Sequence, residues 1–305
     1  MHATLEVGRE LKQDLSSRQL PRGGWPYTQG SAQAALEPTC LALLALRSDP
    51  GPARDLAIRF LLDIQNPNGS WPAFAGDNLE GSGLTGLSLL ALNRCGIKGE
   101  ATDQGFQWLL NLRGWESHWL WRWKFKTSDR HVRFDPDKFG WPWMPETVSW
   151  VVPTAYSLLA LTASFKTPPP DSVRFRIRRG VEMLYDRICP PEGWNAGNGV
   201  VYGQPLAPHL DTTAIALLAL RSEPTNELTA ASLDWLGQRA QTSCAPWSLA
   251  WAILALDAYG RRTNQLLTRL ADARDTHRIK DCATLAVAAL ALDCAFERNI
   301  FRVTE

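Results

Sequence analysis

The chain has 305 residues, 45% of them hydrophobic and 21% charged, with a formal net charge of +1. That composition is globular and excludes a disordered chain, and the near-neutral balance gives no electrostatic reason to expect a nucleic-acid partner. Fourteen tryptophans against five tyrosines is the oddity; tryptophan on this scale suits an ordinary core and also a cavity for apolar or cationic ligands.

Residues 1–20 are charged and amphipathic with no apolar stretch, so no signal peptide is expected, and no run approaches the roughly 18 apolar residues of a membrane span. The six cysteines are scattered without CxxC spacing. They read as reduced thiols in a cytoplasmic protein, with no metal and no other cofactor called for. Residues 5–15 carry apolar positions at helical spacing and predict the first amphipathic helix. It closes on Gln19-Leu20-Pro21-Arg22-Gly23-Gly24-Trp25. A helix of different character follows, Glu37-Pro38-Thr39-Cys40-Leu41-Ala42-Leu43-Leu44-Ala45-Leu46. It is apolar on every face, which requires burial on all sides.

The same text returns as Asp211-Thr212-Thr213-Ala214-Ile215-Ala216-Leu217-Leu218-Ala219-Leu220, and weaker copies occupy 83–92, 152–161, 246–256 and 282–292. Amphipathic segments at 53–64, 102–112, 172–188, 226–240 and 263–273 alternate with them. Six all-apolar and six amphipathic helices predict an all-α double ring, an α/α toroid with the apolar set inside, forming one domain over 1–305. The second closing, Gln65-Asn66-Pro67-Asn68-Gly69-Ser70-Trp71, repeats the Q-x-x-x-G-x-W pattern, and Gly193-Trp194 is a degenerate third. Glycine ends the helix, glutamine can satisfy backbone groups there, and tryptophan fills the wedge between repeats.

One segment breaks the period. Residues 113–147 insert an aromatic run, with Trp115, Trp119, Trp121, Trp123 and Phe125 interleaved with Arg122, Lys124 and Lys126. Three readings follow: a plug over one end of the ring, a lid over a cavity, or a peripheral contact with a membrane surface. Further on, the glycine-rich stretch 193–203 lacks the strand and Gly-Lys-Ser/Thr of a phosphate loop. It reads as a wide turn bringing Tyr202 and His209 to the cavity mouth.

The two Q-x-x-x-G-x-W closings, each leading into an alanine-leucine helix, resemble the QW repeats of the squalene and oxidosqualene cyclase and protein prenyltransferase β-subunit superfamily. That resemblance implies a toroid of six helix pairs. Class II terpene cyclases carry Asp-x-Asp-Asp followed by Thr-Ala where this chain has His209-Leu210-Asp211-Thr212-Thr213-Ala214, so the middle aspartate is kept. The resemblance implies that Asp211, with His209 and Thr212 in place of the flanking carboxylates, protonates an alkene or epoxide of an isoprenoid or meroterpenoid. Such chemistry needs an acid whose burial retains its proton and aromatic faces for the cations that follow. Trp150, Tyr156, Trp247 and Trp251 are the candidates for those faces, with Tyr202 and Glu37 completing the substrate-binding set. Full triterpene cyclases have a second helical domain that this chain lacks, which implies a shorter substrate or a partner subunit.

Other readings remain open at this point. Aspartate at a helix start is a preferred N-cap, so Asp211 can be a cap alone. The prenyltransferase β-subunits bind zinc through an Asp-x-Cys and a histidine, a pattern missing around Cys244, Asp281 and Cys282. A carbohydrate enzyme would need two convergent carboxylates among Glu37, Glu146, Asp211 and Asp281. A non-catalytic ring that binds a prenyl or lipid ligand, or a protein partner, explains the lapsed motifs directly.

Overall fold

A computed structural model describes residues 2–77, 80–127, 132–165, 168–275, 278–296 and 298–302. Among them, six helices form an inner ring: α2 (Leu36–Leu46), α4 (Thr85–Arg94), α7 (Val151–Ser164), α9 (Leu210–Ala219), α11 (Pro246–Ala258) and α13 (Cys282–Leu292). Each packs against the next, and α13 packs against α2, so the ring closes. Six outer helices, α1 (His2–Ser17), α3 (Pro52–Asp63), α5 (Glu100–Asn111), α8 (Asp171–Asp186), α10 (Glu227–Ala240) and α12 (Asn264–Asp275), surround it. The fold is the expected α/α toroid. Every residue of α13 is buried, as is every residue of α2 except Glu37, because alanine and leucine on all faces leave no side suited to water.

One device joins outer to inner helix in four of the six repeats. The indole Nε1 of Trp25 donates to Leu15 O at 2.7 Å, and its backbone N–H donates to Thr39 Oγ1 at 2.9 Å. Trp71 repeats this with Leu61 O and Thr85 Oγ1, Trp141 with Leu109 O and Thr154 Oγ1, and Trp194 with Leu184 O and Thr213 Oγ1. Each tryptophan thus satisfies a carbonyl left open at the end of an outer helix and fixes the entry to the next inner one. Gly105 on α5 and Gly180 on α8 have hydrogen where a Cβ would stand 2.6 and 2.8 Å from the rings of Trp71 and Trp141. In the first two closings the glutamine adds a link between repeats: Gln19 Nε2 donates to Gly23 O and Ala53 O, and Gln65 Nε2 to Gly69 O and Ala101 O, all at 2.8 Å.

The outer-to-inner connections therefore all open on the end of the ring where the inner helices begin, here called the mouth. They are stitched to one another by backbone bonds, Leu36 N–H to Ala73 O, Gly83 N–H to Trp143 O, Val151 N–H to Ala196 O and Cys282 N–H to Tyr27 O. At the opposite end, Phe301 reaches the Trp251 ring at 6.2 Å, and Asn299 and Arg302 bind Asp257 at the end of α11.

The 113–147 insertion contains a short 3-10 turn (Trp115–Ser117) and a helix, α6 (Trp119–Thr127), none of whose residues is buried. Its two ends are anchored: Glu116, fully buried, accepts from Ser149 N–H at 3.2 Å, and Gly140-Trp141 forms one of the four tryptophan joints. The stretch at 193–203 is more ordered than a wide turn. Strands β1 (Val200–Val201) and β2 (Gln204–Pro205) pair antiparallel around Tyr202 and Gly203, both at positive φ (49° and 74°), as a two-residue hairpin turn requires. No helix of the described residues is long and apolar enough to cross a membrane.

Candidate functional site at the mouth of the ring

The repeat alignment places Glu37 and Asp211 at the same point of α2 and α9, in the first turn, and Trp247 at the matching point of α11. The ring turns these three positions toward one mouth. Glu37 is half-buried; its Oε2 accepts from the Tyr27 hydroxyl at 2.7 Å and its Oε1 lies 3.4 Å from the Tyr156 hydroxyl. Asp211 Oδ2 accepts from Trp247 Nε1 at 3.0 Å. Asp281 caps α13, its Oδ1 taking the Thr284 N–H at 2.8 Å.

Desolvation raises the pKa of the Glu37 carboxyl; the two tyrosine hydroxyls oppose this and the negative charges of Asp281 and Asp211 reinforce it. The tyrosines respond in kind. Burial, then the neighbouring Glu37 charge, pushes both the Tyr27 and the Tyr156 hydroxyl upward, so both are neutral donors. The mouth is thus a cluster of carboxyls in which Glu37 holds its proton more tightly than an ordinary glutamate.

Behind this tier stands an aromatic wall. Trp247 meets Trp251 edge-on at 5.8 Å, and Tyr156 lies 6.3 Å from Trp251. Tyr156 and Trp251 are wholly enclosed, and Trp251 Nε1 has no hydrogen-bond partner there.

The residues singled out by sequence divide accordingly. Glu37, Tyr156, Asp211, Trp247 and Trp251 come together. His209, Thr212, Trp150 and Tyr202 do not join them. His209, not Asp211, is the residue that precedes the first turn of α9, and no side chain caps that helix. The capping role expected of Asp211 is thereby corrected: one residue of register moves its carboxylate inside the helix, where it meets the Trp247 indole. His209 is exposed and Thr212 buried. Trp150 stands just ahead of α7 and its ring lies over Gly197, with no hydrogen bond or ring contact to the tier among the described residues. Tyr202 occupies the exposed hairpin tip, because the hairpin carries it outward. Glu146, a carboxylate considered for a sugar cleft, is exposed in a left-handed backbone position ahead of α7.

Sequence reasoning missed two residues. Tyr27, the closer partner of Glu37, sits in a connection with no motif around it. Trp141 was hidden by its place at the end of the insertion, although the Gly-Trp pair it shares with Gly24-Trp25 and Gly193-Trp194 was legible.

No family model matches the sequence, and no curated protein is similar to it. Solved structures are similar in fold. An α-amylase from Clostridium perfringens superposes with a TM-score of 0.66 at 11% identity, over 94% of this chain and 97% of that one. A protein from Actinoplanes gives 0.63 at 17% identity, over 96% and 99%. The type II terpene cyclase MstE from Scytonema, in complex with geranylgeranyl dihydroxybenzoate as substrate, gives 0.57 at 14% identity, over 98% of each chain. At these identities the likeness shows the α/α toroid alone, a fold shared by proteins of different chemistry.

Proposed function

We propose that this chain is a terpene-cyclase-like protein whose mouth protonates a double bond or epoxide of an isoprenoid or meroterpenoid. The observation that supports the reading is the pairing of Glu37, whose carboxyl pKa is raised by burial and then by its acidic neighbours, with the Tyr156 ring beside it and Trp251 and Trp247 behind. In the initiating step the carboxyl O–H bond breaks, leaving a carboxylate and a tertiary cation: on an alkene a C–H bond forms at the less substituted carbon, and on an epoxide an O–H bond forms at the ring oxygen as the C–O bond to the more substituted carbon breaks. The half-buried Trp247 ring at the mouth stabilises that cation through its quadrupole. Loss of a proton from the cyclised cation to the carboxylate ends the cycle and restores the acid, so the product is an isomer of the substrate.

Asp211, the residue to which the cyclase resemblance points, acts beside Glu37 in this reading. Its charge raises the glutamate, and its bond to Trp247 orients the indole. The similar fold of a terpene cyclase solved with geranylgeranyl dihydroxybenzoate as substrate supports a prenylated substrate of that class. Linear prenyl alcohols, diphosphates, prenylated phenols and terminal epoxides, incubated with wild type, Glu37→Gln and Asp211→Asn, test the reading by chromatography and mass spectrometry. Isomers of unchanged mass from wild type, absent with Glu37→Gln, are the expected result. Turnover by Glu37→Gln at the wild-type rate would remove it as the acid.

The filled interior favours a second reading. With Tyr156 and Trp251 enclosed and Phe301 inserted from the far end, the ring is a core with a shallow mouth. That suits a non-catalytic ring that holds a prenyl or lipid ligand at its rim. Binding of an isoprenoid by wild type without conversion selects it.

A further inference from the structure

Large apolar side chains that stand exposed are unevenly placed. Of the eleven among the described residues, only Leu62, Phe175 and Leu228 lie on outer helices; the other eight lie in the connections that open on the mouth. The most exposed are Tyr202 at 73%, Trp119 at 71%, Trp123 at 62% and Leu120 at 49%. Three of these four belong to α6.

Helical spacing puts Trp119, Leu120 and Trp123 on one side of α6. The other side is already used: Trp121 stacks on Trp115 at 4.8 Å, and Phe125 meets Phe134 edge-on at 5.0 Å. Arg122 and Lys126 reach Asp137 at 3.1 and 2.5 Å, which fixes the helix on the segment that follows it. The exposed face is therefore held outward by contacts on the opposite face. The segment that carries Asp137 is itself tied to the hairpin, since Val132 bridges Val201 and Arg133 N–H donates to Val200 O.

Two properties identify the occupant. Tryptophan and leucine exposed together beside lysine and arginine suit the boundary between headgroups and acyl chains, where an indole is half in apolar and half in polar surroundings. The charge agrees, for α6 carries three cations and no acid; Asp137 pairs Arg122 and Lys126, which leaves the exposed Lys124, 4.6 Å over the Trp121 ring, to meet an anionic surface. A protein groove would need neither the cations nor so short a helix.

We propose that α6 docks this protein on an anionic phospholipid bilayer, with Trp119, Leu120 and Trp123 entering the headgroup boundary and Lys124 among the phosphates. The mouth of the ring then opens beside the membrane, where prenyl chains and other apolar ligands reside. The proposal stands on the exposed face alone and holds for either reading of the ring.

The test is flotation of the full chain with vesicles of phosphatidylcholine, and of phosphatidylcholine with phosphatidylglycerol, set against a variant carrying Trp119→Ser, Leu120→Ser and Trp123→Ser. Wild type should float with the anionic vesicles, and partitioning of the variant should fall on the order of a hundredfold. Its melting temperature should stay at the wild-type value, because the three side chains are exposed. Lys124→Glu should weaken binding to the anionic vesicles alone. Absence of wild-type binding, or equal binding by the serine variant, overturns the proposal. A wild-type dimer in light scattering that the serine variant converts to a monomer, without vesicle binding, overturns it in favour of a contact between two copies of this chain.

Discussion

The hydroxyl of Tyr27, in the first connection, stands 2.7 Å from Oε2 of Glu37, on the first inner helix. The contact leaves Glu37 half-buried beside Asp211 and Asp281, and its folded-state pKa is raised, chiefly by desolvation. The sign of the consequence follows from linkage. A group that binds its proton more tightly when folded stabilises the fold below its unfolded pKa, and that contribution is lost as pH rises through the folded value. Thermal melts from about pH 4 to 8, spanning the ordinary carboxylate range and above, should show wild type losing stability with rising pH relative to Glu37→Gln. A pH-independent difference between the two would mean that Glu37 titrates as an exposed glutamate.

Trp71 is fully enclosed, with Nε1 on Leu61 O and its backbone N–H on Thr85 Oγ1. Trp71→Phe keeps most of the packing against Gly105 and removes the indole donor, which strands a carbonyl at the end of α3. Urea unfolding should record a loss of about 1–3 kcal/mol, the cost of a buried acceptor left unmade. The matched change at Trp141 or Trp194 should cost a similar amount, because the joint is the same. A loss at Trp71 with none at Trp194 would show that the joints are not equivalent.

The ring was legible because its evidence is redundant. Six alanine-leucine copies and two glutamine-glycine-tryptophan closings all require the same burial, and no single residue decides it. The mouth was legible only in part. Asp211 was found through its repeat partner Glu37, yet the one residue of register that separates a cap from a first-turn position lies below what spacing resolves. Tyr27 could not be found, since its partnership with Glu37 depends on how the connection over 18–35 folds. The hairpin at 200–205 was missed because its turn residues, Tyr202 and Gly203, resemble none of the asparagine-glycine pairs that announce such a turn.

Trp247 Nε1 bonds Asp211 at 3.0 Å while its ring meets Trp251 edge-on. Trp247→Phe separates the two contacts, since an aromatic ring remains and the donor is lost. Under the protonation reading, turnover should fall about 10- to 100-fold, corresponding to a hydrogen bond to a charged group, with little change in melting temperature because Asp211 is only half-buried. Steady-state kinetics on any substrate that wild type isomerises provides the measurement. Unchanged turnover would leave Asp211 without a role that passes through Trp247.

Arg176 on α8 is 2% exposed, and it ties together the two ends of the insertion: Nη2 donates to Leu112 O at 2.8 Å and to Gly140 O at 3.2 Å. Its guanidinium lies 3.9 Å from the centre of the Trp141 ring and 5.3 Å from that of Phe139. Nε and Nη1 have no partner, and burial, with the nearby Arg113 charge, lowers its pKa while Glu116 opposes this. The side chain therefore combines a favourable clamp with the cost of an incompletely satisfied buried cation. Arg176→Ala removes the clamp and the packing under Trp141 and should destabilise the fold by about 2–4 kcal/mol. Arg176→Met keeps an apolar filling and removes the charge, so it should cost less in urea unfolding. Both variants leave Leu112 O and Gly140 O without the cation between them. Limited proteolysis should therefore cut within 113–139 faster than in wild type, for Arg176→Met as well as for Arg176→Ala. Cleavage at the wild-type rate in both would show that Glu116 and the Trp141 joint hold the insertion without Arg176.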